Sequence, residues 1–132
     1  MRCSLKDIER VMRIIDMHYK DSPLDLRKIF SFMLLRPDWH LLMPSENTMF
    51  LLEPVGDGSL SVHVATVRHN PEITRDSAKA AKWVFENIPD CSELVCIPPA
   101  NQREVRLYAR RLCRVLGGKW DDNDNVCRIG RV

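Results

Sequence analysis

The sequence has no apolar run approaching the roughly 18 residues that a membrane span requires. Lys6, Asp7, Glu9 and Arg10 fall where a secretory leader would need its apolar centre. Both absences predict a protein that meets no membrane and stays in the cytoplasm where it is made. The five cysteines, Cys3, Cys91, Cys96, Cys113 and Cys127, include no C-x-x-C pair, and no histidine stands at a partner spacing. No zinc or other metal centre is therefore predicted, and in a reducing compartment all five are expected as free thiols packed like small hydrophobes. The acidic run from Asp121 to Asn125 lacks the glycine at position six and the glutamate at position twelve of a calcium loop, which leaves it a hairpin turn. Neither charge dominates: the net of +2 excludes a generally basic coat for nucleic acid. With 45% hydrophobic residues, wholesale disorder is excluded as well. No internal repeat, linker or low-complexity segment interrupts the chain.

What is present fits one core. At 132 residues, a single domain over 1–132 is predicted, hiding roughly 65 to 70% of the unfolded surface. Leu5, Ile8, Met12, Ile15 and Tyr19 step by three and four, the spacing of one helical face, with Ser4 and Asp7 as a capping pair. A second helix takes Ser22 as its cap and Pro23 in its first turn, and runs through Leu26, Ile29, Phe30, Met33 and Leu34 until Pro37. Three short apolar stretches, 39–43, 48–55 and 60–67, then read as a meander of strands. The Gly56-Asp57-Gly58 turn makes the last two antiparallel neighbours. In the third strand Leu60, Val62 and Val64 share one face, and Ser61, His63 and Ala65 the other.

Thr74 is placed to cap a third helix through Ala78, Ala81, Val84, Phe85 and Ile88. The stretch 94–97 reads as a buried strand, followed by a fourth helix through Val105, Tyr108, Leu112 and Leu116 that ends at Gly117 and Gly118. Strand, helix, strand in this order predict a parallel pairing of the third and fourth strands through a right-handed crossover. A final hairpin is expected over 120–132. The class is α+β, a mixed central sheet flanked by about four helices.

Charge gathers on the fourth helix. Between Asn101 and Leu116 five arginines face one acid, a local charge of +4 that leaves −2 for the remainder. Arg103, Arg106, Arg110 and Arg114 step by three, four and four, a stripe opposite Tyr108 and Leu112. It reads as a solvated face or as a docking surface. As a docking surface it predicts a protein partner ahead of nucleic acid, because the whole chain is barely basic.

The order of elements and several local words resemble the GCN5-related N-acetyltransferase (GNAT) fold over essentially the whole chain. Leu-Lys-Asp-Ile-Glu-Arg-Val at 5–11 looks like the family's opening. Asn70-Pro-Glu-Ile-Thr-Arg-Asp-Ser-Ala-Lys-Ala looks like the segment leading into its cofactor helix, and Asn101 with Leu107-Tyr108 looks like its fourth helix. The resemblance implies acetyl-CoA held by Val67, Arg75, Ser77, Ala78, Ala80 and Asn101, with Tyr108 as general acid toward the departing thiolate. His63 or Glu53 is then the candidate base for an amine. On the residues alone Tyr108 reads as a core aromatic, Asn101 as a helix cap and His63 as a hydrogen-bonded surface histidine. The family's phosphate loop carries a glycine where Ala78 stands. That methyl, together with the charge of Asp76, argues against cofactor binding, so no cofactor and no enzymatic activity are expected, with acetyl-CoA-dependent N-acetyl transfer as the alternative.

A narrower resemblance, carried by 5–14, Trp39-His-Leu-Leu-Met-Pro and Ala81-Lys-Trp-Val-Phe-Glu-Asn, is to the head-assembly and DNA-transfer-associated proteins of short-tailed temperate enterobacterial phages. It implies a virion assembly factor working by protein binding in the host cytoplasm, escorting a structural or ejection protein through the arginine stripe. A nucleic-acid-binding module is a further alternative.

Overall fold

The computed structural model describes residues 1–67, 70–99 and 101–131. Among them are four α-helices and six strands: α1 (Ile8–His18), α2 (Leu26–Leu34), β1 (His40–Ser45), β2 (Thr48–Pro54), β3 (Ser59–Thr66), α3 (Ile73–Asn87), β4 (Glu93–Cys96), α4 (Arg103–Val115), β5 (Lys119–Asp121) and β6 (Val126–Gly130). The strands form one mixed sheet in the order β1-β2-β3-β4-β6-β5. β3 and β4 run parallel, as the intervening helix requires, while β1 with β2 and β4 with β6 are antiparallel. Val132, the expected end of the last hairpin, lies outside the described residues.

Contacts gather into two compact units, Met1–Glu53 with His63–Ala80, and Pro54–Val62 with Ala81–Val132. The core of the first unit joins Val11, Met12, Ile14 and Ile15 of α1 and Phe30 of α2 to Leu41, Met43, Met49, Leu51 and Ala65 of the sheet. Leu42, Phe50 and Leu52, which alternate with these, are buried too, so both faces of this hairpin are covered. Burial on both faces also defeats the simple alternation expected of β3, where Leu60 and Ala65 are the buried residues and Val64 is exposed.

Caps account for most differences at the element ends. The first turn, Leu5–Asp7, is a 3-10 helix in which the Asp7 carboxylate accepts the Ser4 N–H at 2.8 Å, the predicted pair. That bond holds the Asp7 carboxyl below its usual range. Ser22 does not cap α2; Asp25 does, accepting the Lys28 N–H at 3.1 Å. Thr74 lies inside the first turn of α3, and Asn70 anchors that end instead, its Oδ1 accepting the Glu72 N–H at 3.0 Å.

In the second unit Val84, Cys91, Leu94, Val95, Cys113, Val126 and Cys127 are buried. Gly58 adopts φ +83°, and a Cβ there would stand 2.9 Å from Ser92 Oγ and 3.0 Å from the Asp90 carbonyl, so only glycine permits this turn. Arg131 closes the C-terminal end of α3. Its guanidinium donates to the carbonyls of Phe85 (2.6 Å), Ile88 (2.9 Å) and Cys91 (2.9 Å) and lies 5.2 Å from the Phe85 ring centroid. Cys113 of α4 and Cys127 of β6 form a disulfide, which corrects the expectation that all the cysteines are free. Their Cα atoms stand 5.9 Å apart because α4 packs on β5 and β6 and Gly118 brings the chain back against Cys113. Cys3, Cys91 and Cys96 are free thiols, and burial pushes all three up, Cys3 to about 11.

Candidate functional site

The first unit brings together most of the residues singled out in the sequence, on α3 and the strands beside it. Asp76 is wholly buried, and its Oδ2 accepts hydrogen bonds from Ser45 Oγ and Thr48 Oγ1, each at 2.7 Å. Thr48 Oγ1 in turn accepts from the Asn70 amide at 2.6 Å, and the same amide reaches Thr66 Oγ1 at 3.0 Å. One carboxylate thus ties the start of α3 to the turn between β1 and β2. The Asp76 side chain is thus turned toward these strands rather than toward the exposed side of the first turns, and its charge stays at the start of α3. Both hydroxyls donate to Oδ2, while Oδ1 is buried without a hydrogen-bond partner among the described residues.

With Asp76 turned inward, the outward side of the first turns of α3 carries Thr74, Arg75 and Ala78, all exposed. Arg75 pairs with Glu72 at 2.8 Å and keeps more than half of its side chain in solvent. Ser77 and Ala80 point inward instead, and Ser77 Oγ is buried without a hydrogen-bond partner among the described residues. The Val67 N–H is engaged by the Asn47 carbonyl at 2.9 Å, so it is no spare donor for a ligand. Of the predicted cofactor residues in this unit only Arg75, with the start of a 15-residue helix, suits a diphosphate, and Glu72 already pairs with it. Val67, Ser77 and Ala80 offer no outward donor, and Ala78 sets a methyl on the exposed side.

His63 of β3 and Glu53 of β2 meet across the strands, Nε2 to Oε1 at 3.5 Å, with side-chain exposures of 55% and 35%. Either was a candidate base alone; they form a pair. An ionised carboxylate only accepts, so the Nε2–H tautomer suits this contact and keeps the Nδ1 lone pair open.

The other predicted residues belong to the second unit. Tyr108 is 42% exposed on α4, so it is not the core aromatic that its spacing suggested. Asn101 is exposed and lies one residue before Gln102, which is the N-cap position of α4 in its place. Of the arginine stripe, Arg103, Arg110 and Arg114 are exposed and Arg106 is half-buried, and Arg110 reaches Asp122 at 3.7 Å. The Asp121 carboxylate accepts the N–H groups of Asn123 and Asp124, as a turn residue does. No group of three or more potential metal ligands occurs among the described residues. No helix among them is long and apolar enough to cross a membrane.

Sequence reasoning missed one feature, an open cavity of about 420 Å³ at the α1–α2 connection. Asp16, Lys20, Asp25 and Arg27 line it, so its charges balance. Asp25 is already spent on its cap, and Arg27 on an ion pair with Glu9.

No family model and no curated protein matches the chain. Solved structures do. A mutant of the spermidine N-acetyltransferase SpeG from Vibrio cholerae superposes with a TM-score of 0.63 over 97% of this chain and 90% of that one, at 9% identity. A domain from Methanocaldococcus jannaschii gives 0.60 over 99% and 96%, at 12% identity. The six-stranded mixed sheet with its four helices is a GNAT-like fold. At such identities the likeness is one of fold.

Proposed function

We propose that the chain is an acetyl-CoA-dependent N-acetyltransferase acting on a small amine. The observation that carries this reading is the His63–Glu53 pair on β3 and β2, set on a GNAT-like fold whose third helix presents Arg75 outward at its start. Acetyl-CoA, when bound, supplies the acyl group as a thioester. Arg75, at the start of α3, would hold its diphosphate. His63, oriented by Glu53, takes the proton that an ammonium acceptor loses before its nitrogen can attack. The family resemblance gives Tyr108 the role of proton donor to the departing sulfur. The spermidine acetylated by the Vibrio protein is an acceptor of this class.

The test is a titration with acetyl-CoA followed by thermal melting, and an assay of thiol release with spermidine as acceptor. A hundredfold excess over Kd is expected to add about 2.7 kcal/mol, on the order of 10 °C in Tm. His63→Ala is expected to lower kcat by about 100-fold or more, and Tyr108→Phe to lower it while leaving the Kd for acetyl-CoA in place. An unchanged Tm at millimolar acetyl-CoA, with no thiol released, rejects the proposal.

A second reading, a phage head-assembly factor that retains the fold and works by binding alone, draws on one observation, the exposed Ala78 methyl where the family keeps glycine. It expects no stabilisation by acetyl-CoA, and co-purification with a virion component.

A further inference from the structure

Three of the cysteines meet in the second unit. Cys113 of α4 and Cys127 of β6 form the disulfide, and Cys96, the last residue of β4, is the Cα partner of Cys127 in the antiparallel β4–β6 pair. Residues directly opposite in such a pair send their side chains to one face, with Cα atoms about 4.5 to 5.5 Å apart, inside the range that a disulfide spans. Leu94 and Ile129 are the next opposed pair on that face. A Cβ at Gly118 would stand 2.8 Å from Cys113 Sγ and 2.9 Å from Ile129 Cγ1, so the sulfur of α4 lies on the same side. The ion pair of Glu93 with Arg128, at 2.8 Å, takes the opposite face. Cys96 is therefore a free thiol beside a disulfide, on the side of the sheet where that disulfide lies. Cys3 belongs to the other unit, and the Cys91 thiol donates to the Glu93 carbonyl at 3.4 Å.

We infer that the bridge has two settings, in which Cys113 and Cys96 alternate as the partner of Cys127. The Cys96 thiol gives its proton to solvent, and its thiolate attacks Cys127 Sγ. The Cys96–Cys127 bond forms as the Cys113–Cys127 bond breaks, and Cys113 leaves as a thiolate that takes a proton from solvent. No oxidant or reductant is consumed. In the first setting the bridge ties α4 to β6; in the second it ties β4 to β6 and releases the helix. Cys113 is the one buried residue of α4, so the change loosens that helix above the rest of the unit. Burial pushes the Cys96 thiol up, which keeps the thiolate scarce and the exchange slow near neutral pH. The inference rests on strand register and is independent of acetyl transfer.

The test follows the oxidised full chain at about pH 8.5, without added thiol and at two protein concentrations. Samples are quenched in acid, blocked with N-ethylmaleimide and digested with trypsin, which leaves Cys96 in 83–103, Cys113 in 112–114 and Cys127 in 120–128. A linked peptide pair 83–103/120–128 is expected to grow together with blocked Cys113, at a rate independent of protein concentration, and to be absent from Cys96→Ser. Fragmentation separates Cys96 from Cys91, which shares its peptide. Cys113→Ser, oxidised with glutathione disulfide, is expected to close the Cys96–Cys127 bond, and its α4 amides to exchange with deuterium at least about tenfold faster than the parent's. No such linked pair in the parent overturns the inference, as does a link through Cys91 or a rate that rises with concentration. A Cys127–glutathione mixed disulfide in Cys113→Ser does the same, and so does α4 protection equal to the parent's. The parent measurement decides even where Cys113→Ser fails to fold.

Discussion

Asp76 shows how one residue can read one way in sequence and another in the fold. An acid in the first turn of a helix suits the positive end of the dipole and is ordinarily solvated. Nothing in its neighbourhood announces that Ser45 and Thr48, about thirty residues earlier, will stand 2.7 Å from its Oδ2. The carboxylate is therefore structural. Asp76→Ala strands both hydroxyls and is expected to cost about 3 kcal/mol in urea unfolding, whereas Arg75→Ala, on the exposed side, should stay within about 0.5 kcal/mol. Equal costs would show that the network contributes nothing. Asp7 was legible, because its bond to Ser4 is local. Its folded pKa lies below the unfolded value, so its contribution is present above about pH 4 and is lost as pH falls through the folded pKa. The difference between the parent and Asp7→Ala, about 1 kcal/mol at neutral pH, is expected to vanish in strong acid.

At the scale of elements, helices with a single apolar stripe were legible, α3 to within a residue or two of 73–87, while α2, expected from Ser22 and Pro23 onward, begins three residues later at Leu26. The anchors at their ends were less so, because Asp25 and Asn70 compete with the equally plausible Ser22 and Thr74, and only the approach of the chain decides between them. Anchors from distant sequence were not legible at all. Arg131 reaches the end of α3 across more than forty positions and is bound by its fork to three carbonyls. Arg131→Ala is expected to cost about 2 kcal/mol, and Arg131→Lys to recover little, since a point charge cannot span the same acceptors. Full recovery by lysine would reduce the contact to simple charge at a helix end. The Cys113–Cys127 bridge escaped notice for a related reason: an odd set of cysteines without motif spacing says nothing of which two the fold brings together. Closing a loop of this length contributes about 3 kcal/mol, so dithiothreitol should lower Tm measurably. A Cys113→Ser/Cys127→Ser double variant should melt with the reduced protein, and coincident melting of the oxidised and reduced forms would leave the bridge without a stabilising role.

For the whole molecule, the order of elements carried the fold, because the parallel pairing of β3 with β4 through α3 leaves few ways to build the sheet. Function was harder to read, since one scaffold can host different activities, and the proposal of acetyl-CoA binding turns on a few atoms at the start of α3. Ala78→Gly isolates those atoms. Glycine in place of alanine within α3 weakens the helix by about 1 kcal/mol, so the variant should melt below the parent in buffer alone. Removing the exposed methyl opens the approach to the first turn, so acetyl-CoA should bind about fivefold more tightly, close to 1 kcal/mol. Two effects of opposite sign then meet in one molecule, a lower Tm without ligand and a steeper rise of Tm with it. Ala78→Val should reverse the second effect by crowding the same approach. Identical acetyl-CoA affinities for alanine, glycine and valine would mean that the diphosphate never comes near this turn, and the assignment of α3 as the cofactor helix would fall with it.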